Sequence, residues 1–166
     1  MQVTLVPVTE SNTIVLRNLW QFYEYDTCKY QPSEVDERGL FAAPEAFLES
    51  IGSSSSETTA FTIEVDGKIA GFLVIERAEV EGRMITEFAD IFVLPRYRRQ
   101  GVATSVFQRV VVSSSIPWLL AVFRKDTEAL AFWKGVFARE AGLQYRETSP
   151  PEIQEFHEFI VNESDA

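Results

Sequence analysis

Apolar residues recur along this chain with two periods, and each change of period marks an element. Residues 2–8 alternate through Val3 and Leu5 and reach Pro7, which suits an edge strand or a strand end. Ser11 offers an N-cap to a helix whose apolar positions, Val15, Leu16, Leu19, Phe22 and Tyr23, follow a 3–4 spacing to about Asp26. The stretch from Lys29 to Gly39 is polar and rich in turn formers. Pro44 in a first turn, followed by Phe47, Leu48 and Ile51, predicts a short second helix stopped by Gly52, with a loop over Ser53 to Ser56.

The middle of the chain has the period of strands. Phe61, Ile63 and Val65 alternate with polar residues, Asp66-Gly67 is a hairpin signal, and residues 68–77 return. Gly82 marks a second turn, and residues 83–93 form a third antiparallel strand. The period then lengthens. Val102, Ala103, Val106, Phe107, Val110 and Val111 make the buried face of a helix. Pro117 to Phe123 is a short apolar strand. Ala129, Leu130, Trp133, Val136 and Phe137 predict another helix, capped by Asp126 or Thr127 and followed by Gly142. Residues 143–147 and 155–161 read as closing strands. The order β-α-α-β-β-β-α-β-α-β-β joins hairpins to one strand–helix–strand crossover. It predicts an α/β (α+β mixed) fold, with a central mixed, mostly antiparallel sheet flanked by helices.

Size and composition narrow the class. A chain of 166 residues predicts a single domain over 1–166. One cysteine, Cys28, and one histidine, His157, leave no internal disulfide, no cysteine-based zinc site and no histidine cluster for a metal. Cys28 reads as a small apolar filler and His157 as a structural residue of the last strand. Apolar runs fall far short of the ~20 residues of a membrane span. The opening MQVTLVPVTE lacks the basic-then-apolar pattern of a secretory signal. The expectation is a cytoplasmic protein with no metal and no membrane partner. Acidic residues outnumber basic ones 25 to 15, for a net charge of −10. That balance disfavours a nucleic-acid partner. It suits small cationic ligands and basic peptides, or serves solubility alone.

The segment from Ile91 to Thr104 carries chemistry. A strand ends at Leu94-Pro95, an arginine-rich turn follows, and Gly101 opens a helix. A first helical turn has unpaired N–H groups and a partial positive charge. The amides of Arg99, Gln100, Gly101, Val102, Ala103 and Thr104 are therefore placed to hold an anion. Small residues at 101 and 103 allow a phosphate close to the backbone, and Arg98 and Arg99 add charge. The Gly-Lys-Ser/Thr ending of a P-loop and the Gly-x-Gly-x-x-Gly of a dinucleotide fold are both missing.

Arg98-x-x-Gly101-x-Ala103, within Val93-x-Pro95-x-Tyr97-Arg98-x-x-Gly101, resembles the acetyl-CoA pyrophosphate motif of the GCN5-related N-acetyltransferase (GNAT) family. Asp126-x-x-Ala129-x-x-Phe132-Trp133 resembles that family's Asn-x-x-Ala-x-x-Phe-Tyr segment, which packs along the pantetheine arm. The resemblance implies acetyl-CoA as the acyl donor, held by Arg98 to Thr104, Asp126, Phe132 and Trp133. It also implies that the cofactor arm hydrogen-bonds to the backbone of Ile91, Phe92 and Val93, between parallel strands 83–93 and 117–123 that splay apart. Amides of strand 83–93 would then serve as an oxyanion site. The implied reaction is direct N-acetylation of a small-molecule or peptide primary amine.

Direct transfer needs a neutral amine, so a base or a water relay must take a proton from R–NH3+. Glu87 and Asp90 are the strand carboxylates nearest the motif. A regular strand puts Glu87 on the face of Val93, whereas a bulge would bring Asp90 in instead. Family members often carry a tyrosine at the position of Trp133, and an indole N–H is no usable acid. Tyr97, Tyr145 or water then protonates the leaving thiolate. Tyr23, Asp26 and Tyr30 suit the wall of a pocket for a cationic amine approaching over the N-terminal helices and the 29–43 loop. A non-catalytic acyl-CoA-binding or sensor domain is the alternative. Monomer and homodimer both remain open.

Overall fold

The computed structural model describes residues 1–51 and 56–163. The elements follow the expected order. They are β1 (Val3–Pro7), α1 (Thr13–Thr27), α2 (Glu45–Ser50), β2 (Thr59–Val65), β3 (Lys68–Val80), β4 (Arg83–Val93), α3 (Val102–Phe107), β5 (Trp118–Phe123), α4 (Thr127–Arg139), β6 (Tyr145–Glu147) and β7 (Phe156–Val161). The expected stop at Gly52, and residues 53–55 of the expected loop, lie outside the described residues. The strands are ordered β1-β2-β3-β4-β5-β7-β6 in one sheet. β4 and β5 run parallel with a register of two pairs, Thr86 with Trp118 and Glu87 with Leu119. β5 and β7 share a longer antiparallel ladder, from Trp118–Val161 to Phe123–Phe156. The mixed, mostly antiparallel sheet expected from the element order is therefore present.

Local chemistry accounts for the boundaries. Asp66-Gly67 and Glu81-Gly82 join β2 to β3 and β3 to β4, and both residues of each turn have positive φ. That is the backbone of tight two-residue hairpins, whose twist matches the flanking strands. The turn at 81–82 lets β3 continue to Val80, three residues past the expected end. The N-cap of α1 is Asn12 rather than Ser11. Ser11 sits inside the turn, its hydroxyl against that of Thr9 at 2.9 Å. Asn12 Oδ1 instead accepts from Thr9 N–H at 2.6 Å. α3 is shorter than the apolar spacing predicted and passes into a π-helical turn over Gln108–Val112. The π turn sets Val106 and Val111, five apart, as the fully buried pair and leaves Val110 half-buried.

Contacts divide the chain into two compact units. The first runs from Met1 to Val74 and adds Asp90–Arg98. Its centre is aromatic. Trp20 of α1 stacks on Phe72 of β3 at 5.4 Å, and Tyr23 meets Phe72 and Phe92 edge-on. The second comprises Ile75–Ala89 and the chain from Arg99 onward. There Phe107 of α3 packs against Phe88, Trp133 and Phe137, and Phe137 against Phe159. Val80, Ile85, Leu119 and Ile160 form a further buried cluster of this unit.

Candidate active site

In the first unit the end of β4 is gripped from α1. Tyr23 and Asp26 are three residues apart and share a helix face. The Tyr23 hydroxyl donates to Asp90 Oδ1 at 2.5 Å. Burial first, then the charge of Asp90, pushes the Tyr23 hydroxyl far above its ordinary pKa, so it stays protonated. Asp26 accepts from Arg98 Nη2 at 2.7 Å. Arg98 Nε donates to the Val93 carbonyl at 2.6 Å, and the guanidinium lies 5.5 Å from the centre of the Phe92 ring. Arg98 is thus tied to protein groups on two sides, in addition to any charge it lends an anion. Tyr30 sits beyond the helix end, under the Lys29 ammonium at 4.8 Å.

β4 is not a regular strand throughout. Leu94 N–H donates to Ala70 O at 2.7 Å. The two-residue turn at 81–82 would set Ala70 opposite Val93, so β4 gains one residue on β3 before this point, as in a bulge. Regular alternation therefore does not hold along the whole of β4. Gly71 lies beside this irregularity. A Cβ there would stand 1.9 Å from the Phe92 carbonyl oxygen, so only glycine permits the approach. Sequence reasoning did not single out Gly71, although a glycine inside a strand pattern is the usual sign of close backbone contact. It also proposed Tyr23 and Asp90 separately and missed their pairing.

A groove of about 670 Å³ opens in the same unit, where α1 meets the 34–45 stretch. Arg17, Gln21, Asp36, Arg38, Phe41 and Glu45 contribute to its lining. Gln21 holds the loop to the helix by donating to Phe41 O at 3.0 Å and accepting from Phe41 N–H at 2.9 Å. Asp36 accepts from the Arg38 side chain and from the backbone N–H groups of Leu40 and Arg38, and these bonds, the Arg38 side chain first, hold its carboxyl below the usual range. The segment in which an amine was expected to approach is thereby given a fixed shape.

In the second unit the turn into α3 has the geometry of an anion cradle. Arg99 and Gly101 both have positive φ, at 61° and 80°. Nothing lies within 4 Å of where a Gly101 Cβ would be. Ser105 N–H donates to Gly101 O, so the N–H groups of Val102, Ala103 and Thr104 precede the helical ladder and have no partner within it. Glu87 is half-buried and lies opposite Leu119 of β5. Asp126 caps α4, its carboxylate accepting from Ala129 N–H at 2.9 Å. Trp133 is 6% exposed and wedged among Phe88, Phe107, Phe132 and Phe137. Phe132, at 37%, is the exposed member of the pair. Of the other candidates, Tyr145 packs on Phe137 at 4.7 Å, and His157 Nδ1 is 2.6 Å from Glu147. Tyr97 occupies a single 3-10 turn over Pro95–Tyr97.

Residues 16–135 match the family model described as Acetyltransferase (GNAT) family. The chain belongs to the GNAT acetyltransferase family. Solved structures agree on the fold. An acetyltransferase from Thermus thermophilus is 13% identical, covers 96% of both chains and superposes with a TM-score of 0.68. Arabidopsis thaliana NAA60, in complex with a bisubstrate analogue, is 14% identical over 96% of this chain and 97% of its own, with a TM-score of 0.56. The acetyltransferase AAC(6')-Iy, bound to the bisubstrate analogue CoA-S-monomethyl-acetylneamine, is 18% identical over 82% and 90%, with a TM-score of 0.55. No curated protein is similar enough to this chain to count as a match. This GNAT chain has no helix among its described residues long and apolar enough to cross a membrane. The described residues also contain no group of three or more His, Cys, Asp or Glu side chains placed to hold a metal ion.

Proposed function

We propose that this GNAT chain moves an acetyl group from acetyl-CoA to a primary amine by direct transfer, as one cytoplasmic catalytic domain. The family match at 16–135 runs through both compact units, which supports a single functional domain. The observation that carries the reading is the turn into α3. Its two left-handed residues, open space at Gly101 and unladdered N–H groups at 102–104 fit a pyrophosphate. When bound, acetyl-CoA supplies an acetyl thioester. The residues that would hold it are Arg98 to Thr104, with Asp126, Phe132 and Trp133 along α4 and the backbone of Ile91, Phe92 and Val93. Glu87 or Asp90 controls the amine's proton, directly or through water. Tyr97, Tyr145 or water returns a proton to the thiolate.

The acceptor is a cationic small molecule or a peptide amine. AAC(6')-Iy carries an acetylneamine analogue, and the chain's own net charge of −10 draws cations. Tyr23, Asp26 and Tyr30 stand on the acceptor side. The second reading, an acyl-CoA-binding sensor, draws on Trp133, which puts no ionisable acid at the family's tyrosine position. Free-thiol release from acetyl-CoA across a panel of primary amines tests the enzyme, with CoA binding followed by calorimetry. Binding together with amine-dependent release is the expected result. Binding without release by any amine would favour the sensor, and absence of CoA binding would overturn both.

A further inference from the structure

The Tyr23–Asp90 pair separates two tasks that a strand carboxylate could perform. We propose that Tyr23 is a positioning residue that holds Asp90 as a fixed, ionised carboxylate, a docking charge for the acceptor's ammonium rather than the group that removes its proton. The inference rests on the acetyl-transfer reading and assigns the amine-binding part of that site.

Geometry supplies the first argument. The Tyr23 ring is confined by Trp20 at 5.1 Å, Phe72 at 5.5 Å and Phe92 at 6.2 Å. The hydroxyl therefore has little freedom except rotation of its proton, and that proton points to Asp90 Oδ1 at 2.5 Å. A carboxylate held by a rigid donor loses the rotamer freedom that an exposed aspartate would otherwise give up when it bound a cation. Glu24 is the other carboxylate whose charge acts on Tyr23. Its two oxygens accept from Trp20 Nε1 at 3.0 Å and Ser33 Oγ at 2.8 Å. One turn along α1, Asp26 is paired with Arg98. Glu24, Asp26 and Arg98 are thus charged neighbours along the face of α1 that carries Tyr23.

Chemistry supplies the second argument. A hydrogen bond given to the ionised form stabilises it and weakens the carboxylate as a base. Burial keeps the Tyr23 hydroxyl protonated, so it acts on Asp90 as a neutral donor. The same bond improves Asp90 as a permanent negative charge. An ammonium paired with it keeps its proton until another group, Glu87 or water, accepts that proton and leaves R–NH2.

The test is a carbon-13 NMR titration of the Asp90 carboxyl and the Tyr23 ring. In the wild type both resonances should step at one shared midpoint. A Tyr23 signal that stays silent while Asp90 titrates would overturn the proposal without any variant. Tyr23→Phe should raise the Asp90 midpoint by about one pH unit or more, roughly a tenfold change in its ionisation constant, while Tyr25→Phe leaves it in place. An unchanged midpoint in folded Tyr23→Phe would also overturn it. With an amine that turns over, Asp90→Asn should raise the amine KM at least tenfold and change kcat less than threefold. A fall in kcat of a hundredfold with KM unchanged would make Asp90 the base and overturn the docking role. If no amine turns over, the acetyl-transfer reading fails, and the titration still decides the role of Tyr23.

Discussion

Trp133 shows how a single residue changes the mechanism. The family resemblance puts a leaving-group acid at this position, and the chain has an indole there. The structure buries that indole among four phenylalanines, with Phe107 at 5.3 Å and Phe88 at 5.8 Å. Its work is packing, so Trp133→Phe should keep turnover within about tenfold and lower stability by roughly 1–2 kcal/mol through lost contact area. Thermal unfolding and the thiol-release rate check the two halves. A thousandfold loss of turnover with CoA affinity intact exceeds the usual cost of removing an acid or base, and would show direct chemistry by the indole. The family was legible at this scale because Arg98, Gly101 and Ala103, which carry the resemblance, are close in sequence. The Tyr23–Asp90 pair was not, because it joins residues 67 apart and depends on where β4 departs from regular alternation.

Among the elements, those set by local chemistry were the legible ones. Asp66-Gly67, Gly82 and the Asp126 cap each act within a few residues, and the structure has each where the pattern predicted it. The misplaced details answer to competition that the pattern does not encode. Ser11 lost the cap of α1 to Asn12 because a turn with Thr9 engages its hydroxyl. α3 gave way to a π turn because Val111 is buried at the expense of Val110. The entry to α3 supports a prediction about the whole element. Gly101→Glu puts a β-carbon at φ 80° and a carboxylate in the open space before the first-turn amides. The left-handed conformation costs a non-glycine residue roughly 1–2 kcal/mol. CoA affinity should fall at least tenfold, about 1.4 kcal/mol, and Gly101→Ala separates strain from charge by carrying only the first. A folded Gly101→Glu variant that binds CoA as the wild type does would show that the cradle is not the pyrophosphate site.

At the scale of the molecule the dominant feature is charge. Ten excess negative charges on 166 residues create a field that concentrates cations and repels anions before any contact forms. The sequence left two readings of that field open, solubility and attraction of a cationic acceptor, and they differ in what salt does. Screening shortens the reach of the field to about 10 Å at 0.1 M and about 3 Å at 1 M. If the field recruits the acceptor, raising salt from roughly 0.05 to 0.5 M should raise the amine KM several-fold with kcat nearly constant, because only encounter and docking are screened. The rise should steepen from singly to multiply charged amines, since each added charge multiplies the attraction. A local ion pair at Asp90 alone would give a shallow slope that ignores the charge on the rest of the acceptor. Steady-state kinetics at several salt concentrations with acceptors of increasing charge distinguish these cases. A KM that stays flat across both series would assign the acidic balance to solubility.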